Sequence, residues 1–177
     1  PCNLGIGGCV QTGYRYAMAH GYDITVQMDG DGQHDPAFLD ELTAPIRAGE
    51  ADICIGSRFL KKEGFQSSGL RRFGIRFLSG LIHRVSGVRV LDVTSGFRAV
   101  NRTFTALYAA DYADDYPEPE AIVAAADRGA RIREIPVLMR EREHGTSSIS
   151  PLKSVIYMIK VSMAILLYKI IHGRKKP

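Results

Sequence analysis

Apolar and polar positions along the chain switch between two periods. In residues 9–20, CVQTGYRYAMAH, Val10, Tyr14 and Ala17 fall at helical spacing behind a glycine-rich turn, NLGIGG, at residues 3–8. ITVQM (24–28) has the length and apolarity of a short strand. DPAFLDELTAPIRAGE (35–50) reads as a helix that opens on the cap signal Asp35-Pro36 and stops at Gly49. ADICIGSRF (51–59) is a second, buried strand, followed by a polar loop over 60–69 and helical periodicity over 70–86. VLDVTSGFRAVNR (90–102) reads as a strand and turn. PEPEAIVAAADRG (117–129) is a helix with an acidic first turn and a terminal glycine, as the helix dipole favours. ARIREIPVLM (130–139) is a further strand, and REREHGTSS is a polar loop. Strands alternating with helices specify an α/β layer fold.

The tail keeps helical periodicity but is far more apolar. In SPLKSVIYMIKVSMAILLYKIIHGRKK, Lys160 and Lys169 interrupt the apolar positions, and the uncharged run between them covers 161–168. A spanning helix needs roughly 20 consecutive apolar residues. An apolar helix that carries lysines and ends in Arg174-Lys175-Lys176 fits a helix lying at a membrane surface. A helix packed on the sheet, or in an oligomer, fits equally. The chain therefore divides into a domain over 1–150 and a helix with a basic tail over 151–177.

Composition adds bounds. Apolar residues make up 45% and charged residues 24% of the 177, the ordinary globular range, so disorder is excluded as the overall state. A net charge of +4 suits phosphate-bearing or membrane-surface partners. Cys2, Cys9 and Cys54 are too few and too scattered for a disulfide framework or a CxxC metal site, which reads as a reducing, cytoplasmic setting. The first residue is Pro1, and an N-terminal portion is expected ahead of it.

The informative chemistry is MDGDGQHDP, where a strand runs into Asp29, Asp31 and Asp35. An EF-hand loop starting at Asp29 would put Gln33 at position 5, His34 where glycine belongs and Asp40 where glutamate belongs, and a strand precedes it where a helix should. Asp35 reads as a helix cap. Capping does not explain Asp29 and Asp31, which repel each other at a strand end unless a cation sits between them. Carboxylates at i and i+2, with glycine between them, can reach one divalent ion. Hard ions such as Mg²⁺ or Mn²⁺ take such oxygen ligands and complete their shell with phosphate oxygens. The ion then neutralises a departing diphosphate.

MDGDGQHDP resembles the DxD segment of family 2 glycosyltransferases, in the branch of dolichol-phosphate mannose synthases and bacterial polyprenyl-phosphate glycosyltransferases. NLGIGG, IGSRF, DVTSGFRAVNR, REIPVLM and REREHGTSS follow the same collinear pattern over nearly all of residues 3–150. The resemblance implies a GT-A (Rossmann-like) fold, incomplete at the N-terminus, where the family's base-binding strand has no counterpart.

It also implies roles. Asp31 and Gln33 would be direct metal ligands, with Asp29 beside them on the metal or the ribose; Gln33 offers a neutral oxygen that limits charge crowding. His34 reads as packing or hydrogen-bonding locally ahead of ligation. Arg58, Arg72 (ahead of Arg71) and Arg142 would face acceptor phosphate, where an arginine fork suits phosphate oxygens. Asp92 would lie near the acceptor, with a turn cap as its plain alternative, and Ser95-Gly96 would form a tight turn beneath the donor sugar. Glu118 and Glu120 complement the helix dipole and also stand where an acidic residue near the sugar is implied, with Glu120 taken as the catalytic candidate. Relatives often carry a lysine after Ser147, where this chain has Ser148 and Ile149.

The function so implied is an inverting, metal-dependent glycosyltransferase. It would move a sugar from a nucleotide-diphospho-sugar to a polyprenyl phosphate, peripherally at the inner face of the cell membrane. Transfer to a sugar hydroxyl of a cell-surface polysaccharide, and a non-catalytic binding module, are the alternatives. A membrane surface, a membrane partner protein or a second copy of the chain is expected on the tail helix, and no nucleic acid.

Overall fold

A computed structural model of the protein describes residues 3–61, 69–115, 117–140 and 151–172. The elements run in the order α1 (Gly5–Ala19), β1 (Ile24–Gln27), α2 (Leu39–Arg47), β2 (Ile53–Ser57), α3 (Gly69–Ser86), β3 (Arg98–Asn101), α4 (Arg102–Ala110), α5 (Pro117–Ala126), β4 (Ile132–Pro136) and α6 (Pro151–His172). The sheet order is β1-β3-β2-β4. β2 and β4 are parallel, while β3 runs antiparallel to both of its neighbours. The α/β layers are as the pattern predicts, on a mixed sheet.

Strand alternation divides the core between two faces. Ile53, Ile55 and Val100 turn towards α1, α3, α4, α5 and α6, and Tyr14, Leu78, Ile82 and Ile122 complete that side. Cys54, Phe97 and Ala99 turn the other way, against Leu42 of α2. β2 is buried along its whole length, which accounts for its unbroken apolar run.

Two local readings change. The turn expected at residues 3–8 is mostly the first turn of α1, which starts at Gly5 with Asn3 Oδ1 accepting from the Gly5 amide at 2.9 Å. Gly7 is needed for contact: a Cβ there would come within 2.0 Å of the Ala113 carbonyl oxygen. The strand expected over 90–102 forms only at Arg98–Asn101, so 90–97 crosses as irregular backbone. α4 follows at once, a helix the apolar pattern did not reveal. Asn101 caps it by accepting from the Phe104 amide at 3.0 Å.

The tail is a single helix, as predicted. Val161 and Ile165 are fully buried on the α3–α5 side, and Ile159, Met163, Leu167 and Ile170 remain exposed. Among the described residues no helix is long and apolar enough to cross a membrane.

Candidate active site

β1 ends at Gln27, and the chain turns through Asp29, Gly30, Asp31 and Gly32 before the 3₁₀ turn at Pro36–Phe38. Gly32 sits at φ +77°, a left-handed conformation that a side chain would strain. Asp31 Oδ1 accepts from the Gln33 amide at 3.1 Å, and Asp35 caps the 3₁₀ turn by accepting from the Ala37 amide at 3.0 Å. His34 is the internal prop of this loop. Its Nδ1 accepts from the Asp29 amide at 3.0 Å, and its ring stacks on Phe97 with centroids 5.0 Å apart. Burial lowers its pKa, against the opposing pull of Asp29 and Asp31, so the ring favours the neutral form that this acceptor role requires. The loop is also stitched to the segment that follows β4. Arg140 donates its amide to the Gln33 carbonyl at 3.0 Å and its guanidinium to Asp35 at 2.7 Å, while Gln33 Nε2 donates to the Arg140 carbonyl at 3.3 Å.

The crossing segment 92–96 lies against this loop. The Ser95 amide donates to the Asp92 carbonyl at 3.3 Å, so the tight turn is centred on Val93-Thr94 rather than on Ser95-Gly96 as expected, and Ser95 Oγ donates to the Gly56 carbonyl at 2.7 Å. Gly96 meets Asp29: a Cβ at 96 would lie 2.8 and 2.9 Å from the two carboxylate oxygens. The carboxylate therefore rests on bare backbone, and its side chain keeps 45% of its exposure.

Arg58 and Asp92 are turned to each other inside the protein. Arg58 Nε and Nη2 donate to the two Asp92 oxygens at 2.7 and 2.6 Å, the Arg58 amide adds a bond at 3.1 Å, and Nη2 also reaches Thr94 Oγ1 at 3.1 Å. Glu134 holds the same segment by accepting from the Leu91 and Asp92 amides, each at 2.8 Å.

α3 stands between two cavities. On one side a cleft of about 580 Å³ is lined by Asp29, Gly96, Thr94, Arg71, Asp115 and Glu118, with apolar walls from α3 and α6. On the other, Arg72, Arg76, His83 and Arg89 line a cavity of about 550 Å³ floored by Phe59 and Leu91. Arg71, and not Arg72, therefore shares the cleft with Asp29. Glu118 faces the cleft. Glu120 is half-buried, and burial, then the nearby Asp115 and Asp111, raise its pKa. Arg142 lies outside the described residues.

The donor set suits a hard cation. Among the described residues no three His, Cys, Asp or Glu side chains are arranged to hold a metal alone. Of the three loop candidates only Asp29 lines the cleft, while Asp31 Oδ1 accepts from the Gln33 amide and Gln33 Nε2 is turned to the Arg140 carbonyl; the oxygen chemistry of the loop still suits an ion that takes most of its shell from phosphate oxygens. His34 packs and hydrogen-bonds locally as expected; Glu118, Arg71, Arg140 and Glu134 are the residues that sequence reasoning underweighted. Only Glu118 and Arg71 had a signal, each being one of two neighbouring candidates of the same charge.

The glycosyl transferase family 2 model matches residues 1–107. The chain is 31% identical over 150 residues to an undecaprenyl-phosphate mannosyltransferase of Micrococcus luteus, covering 82% of this chain and 61% of that protein. It is also 31% identical over 150 residues to a polyprenol monophosphomannose synthase of Mycolicibacterium smegmatis, covering 82% of this chain and 56% of that protein. The chain thus spans little more than half the length of these curated relatives. Among solved structures, glucosyl-3-phosphoglycerate synthase of Mycobacterium tuberculosis, solved with phosphoglyceric acid, superposes with a TM-score of 0.68 at 22% identity, over 96% of this chain and 56% of that one. The same enzyme has been solved with Mn²⁺ and uridine-diphosphate-glucose. This likeness establishes the GT-A fold.

Proposed function

The chain belongs to glycosyl transferase family 2, and we propose that it carries the catalytic part of an enzyme that moves a sugar from a nucleotide-diphospho-sugar to a polyprenyl phosphate. The observation that carries this reading is Asp29, seated on Gly96 at the end of β1 with its carboxylate open to a cleft that also holds Arg71 and Glu118. The names of the two curated relatives support the lipid-phosphate acceptor.

Asp29, Asp31 and Gln33 would hold Mg²⁺ or Mn²⁺. Bound there, the ion would neutralise the diphosphate leaving group. The loop's own contribution is fixed geometry, with Asp29 seated by Gly96 and His34, and Gln33 by Arg140. An acceptor phosphate is already ionised and needs no general base. We assign that phosphate to the Asp29 cleft beside Arg71, where it can reach the sugar carbon next to the diphosphate, with Arg142 as a further candidate, Arg72 lining the separate cavity behind α3, and Ser95 shaping the donor side. Arg58 and Asp92 support the wall between the two regions by pairing with each other. The exposed side of α6 is assigned to the inner surface of the cell membrane, and a second copy of the chain is its other candidate cover.

A second reading, transfer to a sugar hydroxyl, is favoured by one observation. Glu118 and Asp115 line the cleft and Glu120 holds a raised pKa nearby, as a general base would require. The test is transfer by the full-length protein with Mn²⁺ or Mg²⁺. Product on a short-chain polyprenyl phosphate supports the first reading, product on a free saccharide the second, and neither product from any nucleotide sugar overturns both.

A further inference from the structure

Arg98 opens β3 in the middle of the sheet, opposite Gln27 of β1 and Ile55 of β2, and its side chain is completely buried. Among the described residues no carboxylate lies within ion-pair distance of it. An unpaired buried charge is costly, so an apolar residue would be the expected occupant of this strand position. The guanidinium instead holds two backbone carbonyls. Nε and Nη2 donate to Ser95 at 3.2 and 2.6 Å, and Nη1 donates to Glu118 at 3.3 Å. Around it, the rings of Tyr14, Tyr108 and Tyr112 stand with centroids 5.3 to 5.4 Å apart. All three lie close enough to act on the Arg98 charge.

The two carbonyls belong to the two backbone segments that shape the Asp29 cleft. Ser95 precedes Gly96, the surface on which the Asp29 carboxylate rests. Glu118 lies in the first turn of α5 and lines the cleft from the other side. We propose that Arg98 is a positioning residue. Its fork sets the distance between the Ser95–Gly96 backbone and the start of α5, and so holds Asp29 and Glu118 in fixed relation across the cleft. This rests on the site assignment made above. A guanidinium can bridge both carbonyls because its donors diverge in one rigid plane, whereas a lysine ammonium carries its three donors on one nitrogen and lacks that spread.

The test compares R98K and R98M with V100A in the full-length protein. V100A trims a core residue two positions along the same strand and supplies a matched loss of stability. R98K should fold, exchange amide hydrogens faster over residues 95–97 than V100A, and bind Mn²⁺ about tenfold more weakly in calorimetry without substrates. It should also lower kcat on the order of tenfold to a hundredfold with little change in donor KM, as small misplacements at a reacting centre do. R98M should match or exceed these losses. If R98K resembles V100A in exchange and Mn²⁺ affinity, Arg98 is only a core residue and the inference fails. If wild type transfers no sugar, the proposed function fails, and the exchange comparison still decides the role of Arg98.

Discussion

Arg58 and Asp92 form a two-point fork, with bonds of 2.7 and 2.6 Å, that is sealed inside the protein behind the candidate site. Asp92 is fully buried and Arg58 nearly so. Removing one partner strands the other charge, which costs about 3–5 kcal/mol. R58A and D92A should each lower Tm by roughly 10 °C for a chain of this size. The double variant R58M/D92L should recover most of that, because an apolar pair of similar volume avoids the desolvation cost. Calorimetric melting checks both expectations. Activity lost in the double variant despite recovered stability would give Arg58 or Asp92 a direct part in acceptor binding.

Asp31 should be indispensable to turnover and dispensable to folding. In the full-length enzyme, D31A should lower kcat by at least about a hundredfold, since the leaving diphosphate loses a counter-charge. Its melting temperature should stay within a few degrees of wild type. A chelator should abolish turnover and Mn²⁺ should restore it. A D31A enzyme with normal turnover would remove the metal from the reading.

Two carboxylates should give stability opposite dependences on pH. Asp52 accepts from the Arg131 side chain and amide and from Asn101, and these bonds hold its pKa below the usual range despite partial burial. Its contribution is present above the unfolded carboxylate range and is lost as pH falls through the folded value. D52N should therefore cost about 1–2 kcal/mol at neutral pH, the exposed Arg131 being partly screened, and almost nothing in strong acid. Glu120 is the reverse. Burial, then Asp115 and Asp111, raise its pKa, so wild type loses stability as pH rises through that folded value. E120Q should be more stable than wild type at neutral pH and indistinguishable below the carboxylate range. Denaturant melts across pH check both signs.

The tail should be tested by substitution. Val161 and Ile165 are fully buried, so deleting α6 would remove part of the core with it. Replacing Ile159, Met163 and Ile170 by serine alters only exposed positions. Wild-type full-length protein should float with anionic vesicles, and the triple variant should remain with the soluble fraction. Equal flotation of both would assign the exposed face of α6 to another role.

Most of the layer order was legible from period alone, because β1, β2, α2 and α3 each carry an uninterrupted apolar pattern. α4 was hidden by its cap: Asn101 ends a strand and starts a helix in one residue, and Asn101-Arg102 resembles a turn. The DxD loop was legible because repelling carboxylates in a short segment have few explanations. What faces Asp29 was not. Arg71 and Arg72 are chemically identical neighbours, and the roll of α3 alone decides which enters the cleft. Arg98 gave no signal, since a strand arginine usually reaches solvent and only the packing of three tyrosines closes it in.

α3 puts adjacent residues into separate chambers, with Arg71 in one and Arg72 in the other. The two cavities are thus opposite sides of one rigid partition, which itself leans on α5 and α6. A ligand that shifts the partition while filling one chamber changes the affinity of the other. The change is reciprocal by linkage, the factor being the same in both directions. A measurement at the arginine chamber and a measurement at the aspartate chamber would then report the same coupling free energy.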